Sequence, residues 1–136
     1  MARTTFSGPV KSDNGFEGNL TGNVTGNVTG TITGAVNMPA ATVAAAGTNL
    51  ATAAAIAAGF TRVTGADGTK GVKLPAAAAG VTVYVVNGAA NPLPVYALTG
   101  DTINGGASVT MENSTTLIAV AIDATAWYTV VFTADA

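Results

Sequence analysis

The chain has 136 residues, carries a net charge of −2, and is only 9% charged, against about 25% in an average globular protein. It contains no cysteine and no histidine, which excludes a disulfide framework, a thiol nucleophile, His-based zinc ligands and a serine–histidine triad. The five cations, Arg3, Lys11, Arg62, Lys70 and Lys73, are scattered, so no basic patch suggests nucleic acid as a partner. The opening ten residues lack the basic-then-apolar pattern of a signal peptide, and no run of about 20 apolar residues suggests a membrane span.

Residues 1–17 read as an arm. Turn formers (Gly8, Pro9, Asp13, Asn14, Gly15) are mixed with the apolar anchors Phe6, Val10 and Phe16, a composition suited to a segment that orders on another surface.

Residues 18–36 run GNLTGNVTGNVTGTITGAV. Glycine recurs at every fourth position from Gly18 to Gly34, and an aliphatic residue falls midway at Leu20, Val24, Val28, Ile32 and Val36. The positions between are nearly all Asn or Thr. That two-residue alternation is the period of a strand with one dry and one wet face. A helix is rejected, because five glycines would cost about 1 kcal/mol each relative to alanine. A strand of this length exceeds the usual 3–10 residues and leaves no room for separate hairpin turns. The reading is therefore intermolecular: three chains wind around a common axis over residues 18–38, with the five aliphatic residues filling it as the trimer interface and glycine allowing close backbone approach.

Residues 39–70 read as a helix and connector. Pro39 ends the repeat. Thr48 or Asn49 can cap a short Ala-rich helix at 50–58, stopped by Gly59. The 65–68 stretch, GADG, is a turn signal between β-prone pieces. No GK[ST] ending follows it, so it is not read as a phosphate loop.

Residues 71–136 read as a β-domain. Candidate strands at 81–87, 94–98, 108–112, 115–122 and 126–132 are separated by turn clusters, which predicts an antiparallel β-sandwich or small barrel. In the fourth of these strands, Leu117, Ala119 and Ala121 alternate with Ile118, Val120 and Ile122. Both faces are apolar, one for its own core and one for a neighbouring subunit. Trp127 and Tyr128 are expected to close the core. The predicted class is thus mainly all-β with one short helix, assembled as a homotrimer.

No catalytic constellation emerges, and no cofactor or metal is expected. Asp101 and Glu112 could face each other across a hairpin, but an aspartate in a Gly–Asp turn more often accepts backbone hydrogen bonds. No D-x-[DN]-x-[DN]-G calcium loop and no S-x-x-K motif occurs.

Two blocks carry a resemblance. The opening RTTFSGPVKSDNGFEGNLTGNVTGNVTG resembles the start of capsid decoration proteins of tailed bacteriophages, also called cement or head-fibre proteins. The block ADGTKGVKLPAAAAGVTVYVVNGAANPLPVYALTGDTINGGASVT, followed by Trp127 and Tyr128, is similar to a β module that recurs in phage virion proteins. The resemblance implies a homotrimer on the outer surface of an icosahedral head, made in the host cytoplasm, that staples adjacent major capsid proteins. On that reading Phe6, Pro9, Val10 and Phe16 contact the capsid. One rival is a tail-fibre or receptor-binding protein that holds host glycans through Tyr84, Tyr96, Trp127 or Tyr128. Another is an ice-binding β protein, disfavoured because Asn interrupts the Thr ranks.

Overall fold

The computed structural model describes Thr33 and residues 36–133. Ten strands follow one another: β1 (Ala40–Ala44), β2 (Ala54–Ala55), β3 (Gly59–Thr64), β4 (Val72–Lys73), β5 (Thr82–Asn87), β6 (Leu93–Tyr96), β7 (Thr102–Ile103), β8 (Ser108–Met111), β9 (Thr115–Ala121) and β10 (Ala126–Thr133). They form a six-stranded sheet in the order β1-β3-β5-β9-β10-β7 and a four-stranded sheet in the order β2-β4-β6-β8.

The chain alternates between the two sheets, one strand in each per turn. β1, β3 and β5 pair in parallel, and so do β2, β4 and β6. Register stacks Ala40, Phe60 and Tyr84 in one rank and Val43, Val63 and Asn87 in another. This is a β-solenoid of about four turns over residues 40–127. It replaces the expected antiparallel sandwich or barrel. Short strands spaced by turns suit either architecture, and they diverge only in which strands become neighbours. Here each parallel neighbour is reached through a strand of the opposite sheet, the long crossover that parallel pairing demands.

The last turn runs backwards. β8 pairs antiparallel with β6, and β9 antiparallel with β5. Between β7 and β8, Asn104 and Gly105 take positive φ (52° and 81°), while Ile103 and Gly106 exchange backbone hydrogen bonds at 2.7 and 2.9 Å. That is the Asn-Gly I′ turn, whose twist matches paired strands. β10 then folds back antiparallel on β9, and β7 pairs in parallel with its first two residues.

The expected helix at 50–58 is absent. Asn49 does act as a cap: its side chain accepts from Thr52 N at 3.2 Å, and its carbonyl accepts from Ala53 N at 2.9 Å. The chain leaves after that one turn, because Ala53 and Ile56 are buried in the core and β2 pairs with β4. Tertiary burial overrides the helix propensity of alanine.

The core lies between the sheets. Val63, Val83, Val85, Leu117 and Ala119 point inward from the larger sheet, and Val72, Leu93, Val95 and Met111 from the smaller. Trp127 is 0% exposed and closes the core, as expected, but Tyr128, expected to share that role, is 55% exposed, because the next residue along a strand points to the opposite face. Buried Asn87 is fully engaged: its amide donates to the carbonyls of Asn91 and Glu112, both at 2.9 Å, and its oxygen accepts from Ala89 N. The strands expected at 81–87, 94–98, 108–112, 115–122 and 126–132 appear as β5, β6, β8, β9 and β10.

Gly59 is set by two constraints. Its φ is +103°, and an added Cβ would press on the Pro39 carbonyl oxygen, which accepts from Phe60 N at 2.8 Å. Gly80 has φ +84° but open space around it. Gly80→Ala should therefore cost about 1 kcal/mol for backbone strain alone, and Gly59→Ala about 2 kcal/mol or more. Urea denaturation checks this: the midpoint should fall further for the Gly59 variant, and equal midpoints would contradict the close approach.

Candidate interaction surface

Side chains alternate across each strand, so the residues between the core positions line the outer face of the larger sheet. Phe60 and Arg62 come from β3, Tyr84 and Val86 from β5, Ile118 and Val120 from β9, and Tyr128, Val130 and Phe132 from β10. Pairing joins them into continuous rows. One runs Ala40–Phe60–Tyr84–Ile118–Val130, and the next runs Thr42–Arg62–Val86–Thr116–Phe132.

Tyr128, Val130 and Phe132 are each more than half exposed, as is Ile122 just beyond β9. Phe60 is 43% exposed, and its ring stacks on Tyr84 with centroids 4.3 Å apart and planes 17° from parallel. Four strands about 4.8 Å apart, each about 20 Å long, give this face about 400 Å² in projection. Monomeric proteins rarely expose apolar patches beyond a few hundred Å² unless the patch binds something.

The face is nearly free of charge. Arg62 is the one charged residue in all six strands of this sheet. Its stem lies beside Gly88, where an added Cβ would fall 2.8 Å from Arg62 Nε. A shallow groove of about 310 Å³ opens beside it, lined by Ala40, Thr42, Phe60, Arg62 and Val86. The groove arises from size: β1 presents Ala and Thr where β3 presents Phe and Arg. The opposite side of the face, on β9 and β10, is a ridge of Ile, Val, Tyr and Phe.

Both flanks of this sheet carry unpaired backbone among the described residues. β1 pairs only with β3, and β7 covers only Ala126 and Trp127 of β10. Asn104 extends that cover by one residue: its side chain accepts from Thr129 N at 3.0 Å and donates to Thr129 Oγ1 at 2.7 Å.

The described carboxylates and Lys70 sit in loops. Asp67 accepts from Lys70 N at 2.9 Å, pairs with Lys70 Nζ at 2.9 Å, and accepts from the hydroxyl and N–H of Thr69. Hydrogen bonding, first from the Lys70 backbone, holds this carboxyl well below the usual aspartate range. Asp123 is lowered chiefly by Thr125 N, helped by the Thr125 hydroxyl and Ala126 N. Asp101 accepts from Ala77 N at 2.9 Å, the backbone role expected of it. Among the described residues no group of three potential ligands could hold a metal ion.

Of the residues expected to form the trimer interface, Val36 is described and is 66% exposed; Leu20, Val24, Val28 and Ile32 lie outside the described residues. So do Phe6, Pro9, Val10 and Phe16, expected on the capsid. Of the aromatic residues weighed for glycan binding, Tyr84 and Tyr128 share the outer face. Trp127 is buried, and the Tyr96 hydroxyl donates to the Thr48 carbonyl at 3.2 Å. The apolar second face of β9 was visible in the sequence, but its continuation through Phe60 and Tyr84 was not, since that needs the parallel register. No protein-family model, curated protein or solved structure matches the chain.

The two lowered carboxylates fix a pH dependence. A group whose folded pKa is depressed contributes fully above its unfolded value, near 4, and that contribution is lost as pH falls through the folded value. The contribution of these groups to the melting temperature should thus be full and constant between pH 8 and 5 and should decline below about 4. Asp67→Asn should flatten the acid decline, and thermal melts across pH check it; an unchanged acid limb would contradict the loop's role.

Proposed function

We propose that the protein is a structural virion component: a homotrimeric capsid decoration, or cement, protein. It binds the outer surface of an icosahedral phage head and bridges major capsid proteins. The observation that carries this reading is the outer face of the larger sheet, apolar over four strands with Arg62 as its only charge. A surface of that kind serves a protein that lives against other proteins. The resemblance of residues 3–30 to decoration proteins supplies the setting.

In this reading residues 1–17 are the capsid-anchoring arm, with Phe6, Pro9, Val10 and Phe16 as contacts. Residues 18–38 hold the trimer together through Leu20, Val24, Val28, Ile32 and Val36. The solenoid is the body carried outward. No bond is made or broken; the contribution is added contact area between shell subunits and slow dissociation.

A second reading is a tail-fibre or receptor-binding protein with a glycan-binding β head. The stacked, partly exposed Phe60–Tyr84 pair favours it, since sugar rings pack on aromatic faces. The burial of Trp127 removes the largest such platform. Glycan-array binding with localisation to the tail would select this alternative.

Deleting residues 1–17 tests the first reading. The shortened chain should keep its β circular-dichroism spectrum and assembly state yet fail to co-sediment with capsids that the full chain binds. Undiminished co-sedimentation would overturn the assignment of the arm.

A further inference from the structure

The outer face of the larger sheet is divided. Its β1–β3 side is hollow, a groove of about 310 Å³ floored by Ala40 and Thr42 and walled by Phe60 and Arg62. Its β9–β10 side is raised, with Tyr128, Val130 and Phe132 each more than half exposed. We propose that this face is a self-association surface in which the β10 ridge of one copy seats in the β1–β3 groove of the next. The proposal rests on the homotrimer reading and locates a contact for it within the solenoid.

Two features favour a second copy as the occupant. The first is shape. Hollow and ridge lie on opposite halves of one face, so the contact is heterologous, joining unlike patches, and such contacts form rings where the rotation between copies closes. Three faces turned toward a common axis set the left half of each against the right half of its neighbour, with the middle strands β5 and β9, through Tyr84 and Ile118, nearest the axis. The second is charge. A copy brings only Arg62 into the contact, so almost no charge must be desolvated. That guanidinium lies at the groove, where an incoming Tyr128 or Phe132 ring offers a cation–π partner.

The absence of cysteine makes the test clean. Cysteines are introduced in full-length protein at one groove position, Ala40→Cys or Thr42→Cys, together with one ridge position, Tyr128→Cys, Val130→Cys or Phe132→Cys. β1 and β10 are four strand steps apart, about 19 Å. An intrachain disulfide, which needs Cα atoms within about 7 Å, is therefore impossible. Under mild oxidation, purified double variants with native circular dichroism should give a covalent ladder ending at the trimer, while the single variants stay uncrosslinked. Val130→Asp should raise the dissociation constant of the oligomer at least about tenfold by burying an unpaired charge. Dimers from Val130→Cys alone would mean that ridge meets ridge and would overturn the ridge-in-groove arrangement. The absence of a ladder from all six pairs would overturn it too. Capsid co-sedimentation is scored separately: a ladder without capsid binding removes the decoration reading alone, and capsid binding without a ladder removes the self-association surface alone.

Discussion

Side chains in a strand alternate between two faces, and in the larger sheet of this protein both faces are apolar. The inner ranks, through Val63, Val83, Val85, Leu117 and Ala119, are spent on the core. The outer ranks, through Phe60, Tyr84, Ile118, Val120, Val130 and Phe132, have nothing to cover them among the described residues. Register ties the two together, because a one-residue slip in β9 would exchange Leu117 for Ile118 and move every side chain to the other face. The same hydrogen-bond ladder that builds the core therefore also builds the exposed surface.

The solenoid solves a problem of size. About a hundred residues with few charges and many alanines do not provide bulky side chains for a wide core. Two sheets wound from one continuous chain need only a thin one, filled mostly by Val, Leu and Ala. Polar groups are kept where they can be satisfied: Asn87 bonds the carbonyls of Asn91 and Glu112 at the end of β5, Asp101 takes the Ala77 amide, and Asp67 and Asp123 organise exposed loops. The reversed last turn ends the parallel stack, and Asn104 shields part of the edge it leaves.

The all-β class, the five C-terminal strands and the closing role of Trp127 were legible because each depends on local alternation and turn residues. The two apolar faces of β9 were legible for the same reason. The solenoid was not. Twenty residues separate Ala40 from Phe60 in register and twenty-four separate Phe60 from Tyr84, so no fixed period marks the turns. The strands β1 and β2 were hidden by alanine, which favours helix in isolation; at Ala53 and Ala54 its small size is what lets β2 lie close to the core. The exposed face was half legible, since its β9 part follows from alternation while Phe60 and Tyr84 join it only through non-local pairing.

The apolar sheet face and the sequence repeat read as an intermolecular strand together motivate the proposal that copies of the chain cover one another. Sedimentation velocity on the purified full-length protein at micromolar concentration, without capsids, tests that most directly. A species near three times the chain mass of 13.2 kDa is expected. A stable monomer at 13.2 kDa would contradict it.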